Sequence, residues 1–196
     1  PIRIIGYPES SMAREFFNEI TKTHLAEEIL PAVFLLEPNK QNYQYIVALS
    51  WDREERQRII EYIDKNNLDL ITVINDTSLI GHTPAATIGP GTFIFPFCNI
   101  SIASHVGRHC IIGSYSLIGH YSGLGDNCEL RPGVMINGKS QIGKNCLIET
   151  KATITNRAMI CDAVDIMAFS EVRKDITESG RYVGKPARRI TQLDDL

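Results

Sequence analysis

The chain has 196 residues, 43% of them hydrophobic, enough to bury a core in one large domain or two small ones. A formal net charge of -3 without any long basic run leaves no electrostatic footprint for nucleic acid or for an anionic membrane surface. No apolar run approaches the roughly 18 residues of a spanning helix, and the opening Pro1-Ile2-Arg3-Ile4-Ile5-Gly6 lacks the charged-then-apolar pattern of a signal peptide, so a cytoplasmic protein is expected.

Residues 1–77 read as a small α/β, Rossmann-like substrate domain. Apolar runs predict strands over 2–5, 32–36, 45–49 and 70–74. Between them, Ser10 or Ser11 can cap a helix through Met12, Phe16, Phe17 and Ile20, and Ser50 or Asp52 a second whose apolar face is Ile59, Ile60 and Ile63. Strands alternating with helices argue for a parallel sheet, whose ligands lie beyond the carboxyl ends of the strands. That points to loops 6–11, 36–42 and 49–52.

Residues 75–84 are rich in turn formers and hand over to a different pattern. From Ile88, every sixth residue is aliphatic as far as Val172: fifteen rungs without a miss. The residue two places before each rung is small or β-branched, as in Ser104, Cys110, Ser116, Ser122 and Cys128. A period of six fits neither a helix nor a hairpin; it marks a parallel β-helix in which three hexads close one coil of 18 residues. The domain over 78–173 is therefore expected to hold about five coils. Glycine follows the rung at Gly89, Gly107, Gly113, Gly119, Gly125 and Gly143, where tight corners are expected to favour it. Cys110, Cys128 and Cys146 are spaced by 18 in the small-residue register, which predicts a buried column rather than a metal site. After Val172 the period stops, and residues 174–196 read as a basic C-terminal tail containing Gly184-Lys185-Pro186-Ala187.

This ladder resembles the left-handed β-helix acyltransferases. More narrowly, Ser116-Leu117-Ile118-Gly119-His120 followed by Gly125-Asp126, the segment 133–143, and the ending Lys174-Asp175-Ile176 with Val183-Gly184-Lys185-Pro186-Ala187 resemble the bacterial sugar acetyltransferases typified by sialic-acid O-acetyltransferase and the bacillosamine-pathway N-acetyltransferase. The resemblance implies left-handed coils, a homotrimer, acetyl-CoA as co-substrate without a metal, and a sugar or nucleotide-sugar acceptor used in surface-polysaccharide synthesis.

In that family the histidine at the position of His120 is the general base. Histidine suits the task because its ring can accept a proton near neutral pH from an amine or hydroxyl attacking the thioester. The family glycine at Gly138 donates its backbone N–H to the developing oxyanion, and Gly138 lies one 18-residue coil above His120. Glu129 stands where relatives often carry a second histidine, which implies a role in orienting His120 or the substrate. Lys185, Arg188 and Arg189 are candidates for the CoA phosphates. Glu37 is a candidate for a ribose or sugar hydroxyl, Trp51 for stacking on a base or sugar, and Gly6 for the phosphate-side loop.

Several positions depart from the family pattern. Tyr121 replaces the acid that commonly follows the histidine, and Gly113 an asparagine seven residues before it. The glycine-rich phosphate loop reads Gly6-Tyr7-Pro8-Glu9-Ser10-Ser11, where proline has no N–H and Glu9 is anionic. The usual Gly-Asp-Asn after the third strand reads Leu49-Ser50-Trp51-Asp52. Two other readings of the same fold are a non-catalytic trimeric scaffold and a zinc hydrase like the γ-class carbonic anhydrases. The second would need His105, His109 and His120 as ligands, yet their positions relative to the rungs differ.

Overall fold

The structure, a computed structural model, describes residues 2–5, 14, 18, 26–30, 43–49 and 53–191. It divides into two compact units, Pro1–Val73 and Ile74–Leu196.

In the first unit, Ile2–Ile5 lies at the centre of a parallel sheet between Ala26–Leu30 and Gln44–Val47. Ile4, Ile5, Ile46 and Val47 are all buried, as expected of parallel strands covered on both faces. The helix Arg53–Lys65 turns Ile59, Ile60 and Ile63 into a cluster with Ile5, Tyr45, Val47 and Leu49. Two residues beyond its end, Asn67 takes a left-handed φ of 50°, which lets Leu68 N–H reach back to Ile63 C=O at 3.1 Å. Within the fourth expected stretch, Leu70 bridges in parallel to Tyr45, and Val73–Ile74 forms a separate two-residue strand. The strand Ala26–Leu30 was not expected from the pattern, and the predicted strand over 32–36 lies outside the described residues. Of the first predicted helix only Arg14 and Asn18 are described, both helical.

The second unit is a left-handed parallel β-helix of about six turns. Short strands recur every six residues from Thr87–Ile88 to Glu171–Val172, and those as far as Thr153–Ile154 each pair in parallel with the strand 18 residues further on. The rungs fill the interior: Ile94, Ile100, Val106, Ile112, Ile118 and Ile136 are fully buried. The solenoid also reaches below Ile88, because Leu79–Ile80 pairs with Asn99–Ile100. An eight-residue step from Ile80 to Ile88, carrying the Gly81–Ala85 loop, breaks the count of six and hides that strand from a periodicity search.

The small register has a chemical logic beyond size. Ser116, Ser122 and Ser140 donate their hydroxyls to the carbonyls of Arg131, Asn137 and Thr155, each 15 residues on, at 3.2, 3.0 and 2.8 Å. The Cys128 thiol makes the same contact with Gly143 C=O at 3.1 Å. A short side chain that can donate satisfies a corner carbonyl of the next coil without crowding the core. Cys110, Cys128 and Cys146 are buried in one column and carry no disulfide, and burial pushes the Cys128 thiol well up.

The glycines after the rungs have a different role from the one expected. Left-handed φ values fall two residues later, mostly on other residue types, at every sixth position: Phe97, Ala103, His109, Tyr115, Tyr121, Asn127 and onward. What demands glycine is close approach of the next coil. A Cβ on Gly119 would stand 2.6 Å from Gly138 N, and one on Gly113 2.7 Å from Pro132 N.

The stretch read as a basic tail is folded as far as Ile190. Gly180–Gly184 pairs in parallel with Val164–Ile166, then turns back as the antiparallel strand Ala187–Ile190. Tyr182 and Ala187 pack on the end of the core.

Candidate active site

His120 follows the strand Leu117–Ile118, which pairs with Met135–Ile136, which pairs in turn with Thr153–Ile154. Equal coils put His120, Gly138 and Asn156 in one column and Tyr121, Lys139 and Arg157 in the next. Backbone hydrogen bonds lock the column, with Lys139 N–H on His120 C=O at 2.8 Å and Arg157 N–H on Gly138 C=O at 3.1 Å. The left-handed φ of Tyr121, Lys139 and Arg157, 59°, 66° and 65°, marks the turn of each corner.

The imidazole of His120 lies directly against Gly138. A Cβ at position 138 would sit 2.6 Å from Nε2 and 2.7 Å from Cε1, so the ring occupies space that any other residue would claim. Its other support is Tyr121, whose ring meets it edge to face with centroids 5.6 Å apart. Packing thus orients the ring where the family pattern has an acid. Among the described residues no backbone carbonyl accepts from the Gly138 N–H, which leaves that donor for a ligand oxygen. An open cavity of about 340 Å³ is lined by His120, Gly138, Lys139, Asn156 and Arg157. An imidazole and a backbone donor on one cavity wall are the kinds of group an acyl transfer can use.

The remaining expected site residues go elsewhere. Glu129 is buried in the strand Glu129–Leu130, on a different face from the His120 strand, and pairs with Arg131 at 3.0 Å. It is not part of the cavity lining, nor is it a solvated corner. Lys185 is exposed at the hairpin turn, Arg188 is exposed on the outer strand, and Arg189 pairs with Glu178 at 3.2 Å and donates to Ser179 C=O. None of the three lines the cavity. Gly6, Glu37 and Trp51 lie outside the described residues.

His105 bonds Thr87 through Nδ1 at 2.7 Å, and His109 is buried over Gly91. Among the described residues no three His, Cys, Asp or Glu side chains are grouped as a metal site would need. Lys139, Asn156 and Arg157 were not singled out from the sequence. The signal was available, since 138 plus one coil is 156, and 139 plus one coil is 157.

No protein-family model matches the chain. It is 33% identical over 163 residues to the GDP-perosamine N-acetyltransferase of Escherichia coli O157:H7, a match covering 80% of this chain and 72% of that protein. Its fold is that of a mutant perosamine N-acetyltransferase from Caulobacter crescentus solved with CoA and GDP-perosamine, with a TM-score of 0.88, 19% identity and 97% of both chains covered. The acetyltransferase domain of PglB from Neisseria gonorrhoeae FA1090 is similarly related, with a TM-score of 0.85 and 18% identity over 96% of this chain and 98% of that one.

Proposed function

Because the chain belongs to the hexapeptide-repeat sugar acetyltransferases, we propose that it moves an acetyl group from acetyl-CoA to an amino group of a nucleotide-linked sugar. The observation that carries this reading is the stack of His120 on Gly138 at the wall of an open cavity. The neutral amine attacks the thioester carbonyl and the C–N bond forms while His120 takes the amine proton. The Gly138 N–H donates to the tetrahedral oxyanion. Collapse breaks the C–S bond, and the imidazolium returns the proton to the departing CoA thiolate. Direct transfer needs no acyl-enzyme, and among the described residues no serine, threonine or cysteine lines the cavity.

The protein acts as a homotrimer in this reading. Support comes from exposed apolar side chains along the solenoid, among them Leu79 at 68% exposure, Tyr115 at 67% and Phe97 at 53%, more than an isolated prism needs to show to water. Among the described residues no helix is long and apolar enough to cross a membrane.

The test is a screen of free and nucleotide-linked amino sugars with acetyl-CoA, following release of CoA thiol. Transfer to a nucleotide-linked amine is the expected result. His120→Ala should lower kcat by about 100- to 10,000-fold, the usual worth of a general base, at unchanged melting temperature. A nearly normal rate in that variant would remove His120 as the base, and no turnover of any amino sugar by the wild type would favour the scaffold reading.

A further inference from the structure

The cavity holds two cations that acetyl transfer itself does not use. Lys139 and Arg157 are exposed on successive coils of the corner column next to His120 and Gly138, and both line the cavity. Neither is paired with an acid among the described residues, whereas Lys144, Arg131, Arg173 and Arg189 all are. On a chain of net charge -3, two unpaired cations converging on one cavity form a local positive site. Strand stacking fixes their backbones one coil apart, at about 4.8 Å, a separation that lets an ammonium and a guanidinium hold neighbouring phosphates.

We propose that Lys139 and Arg157 bind the diphosphate of the acceptor, which rests on the reading of that acceptor as a nucleotide-linked amino sugar. Two molecules in the reaction carry a diphosphate, and distance from the reacting atoms separates them. In CoA the diphosphate is removed from the thioester by the whole pantetheine arm. In a nucleotide sugar it is attached to the anomeric carbon, across a single pyranose ring from a ring amine. Cations sharing a cavity wall with the base are placed for the nearer of the two. The N-terminal loop 6–11 has the opposite character, with Pro8 lacking an N–H and Glu9 adding negative charge.

The test is the double variant Lys139→Gln with Arg157→Gln, which removes both charges from exposed positions and keeps unbranched side chains at the left-handed corners. Lys151→Gln, at another corner, controls for charge removal alone. With a nucleotide-linked amino sugar the double variant should raise the acceptor KM at least about tenfold, the value of losing charge-assisted hydrogen bonds. That loss should exceed the loss on the methyl glycoside of the same sugar by a similar factor. A rise in the acetyl-CoA KM instead, an equal loss on both acceptors, or the same rise in Lys151→Gln would overturn the assignment. Calorimetric titration with GDP and UDP separates this from the proposed reaction. If the wild type acetylates no nucleotide sugar, binding of either nucleotide that weakens at least about tenfold in the double variant still supports the diphosphate site. Equal binding by both proteins, or none by the wild type, overturns it.

Discussion

Two corners of the same solenoid share a backbone and differ in what they offer a ligand. At one, the second residue after successive rungs is His120, then Gly138, then Asn156; at the other it is Ser114, then Pro132, then Thr150. Both turn through a left-handed residue, at 59° for Tyr121 and 62° for Tyr115. Proline at the second corner has no N–H to give an oxyanion, and stacked Phe97 and Tyr115 rings, 5.0 Å apart, occupy its surface. The regular coil supplies rigid spacing everywhere. The proposed chemistry falls where one coil carries an imidazole and the next leaves both its side-chain space and its N–H open.

The sharpest way to break that difference is Gly138→Ala. The backbone there is compatible with alanine, so the added Cβ acts by displacing the imidazole it would meet at 2.6 Å. Steady-state assays should show kcat reduced about 100-fold, as misplacing a reacting group costs, with a melting temperature close to that of the wild type. The matching change at the other corner, Gly133→Ala, should do the reverse. Gly133 has a φ of 74°, and a Cβ would press on Lys151 Cγ at 3.2 Å, so denaturant titration should show a loss of about 1–2 kcal/mol with the transfer rate unchanged.

A smaller effect is expected at a third kind of corner, where Asp126 accepts from Arg108 N–H at 2.9 Å and pairs with Lys144 at 3.1 Å. Partial burial pushes its carboxyl up, but the Arg108 N–H, the Lys144 hydrogen bond and the two nearby cations outweigh it and hold the group below the usual carboxylate range. A pKa lowered by folding stabilises the protein above the unfolded value, and that contribution is lost as pH falls through the folded one. Asp126→Asn should therefore lower the melting temperature near neutrality. The gap to the wild type should close as the solution is acidified through the carboxylate range, and a gap that stays constant with pH would count against the assignment.

How far the sequence could be read follows the same division. Rungs, the cysteine column and the alignment of Gly138 with His120 were legible because every coil repeats the same 18-residue geometry, so counting stands in for coordinates. Counting failed where the geometry changes: at the eight-residue step after Ile80, which hid a strand, and at the hairpin turn after Gly184, where strand direction reverses. Glu129 is a case where family position and register carry different information: the first implies a role, while the second puts the side chain on another face from His120, beside Arg131. Lys139 and Arg157 are legible only by extending the column beside His120 and Gly138, since neither belongs to the motif that marks it. In the first 73 residues no repeat links one strand to the next, and there strand positions rested on apolar runs alone, which give no register.

The terminal hairpin also bears on why such a prism stays a discrete object. A stack of parallel strands has no intrinsic end, and its last rung exposes a row of unpaired backbone groups that another chain can extend. On one of the three faces, Gly180–Gly184 continues the stack for a final step and Ala187–Ile190 closes it in the antiparallel sense, with Arg188 and Arg189 on the outermost strand. Positive charge on an edge strand discourages edge-to-edge association. Arg188 and Arg189 thus stand where a solenoid is protected from growing into a fibre.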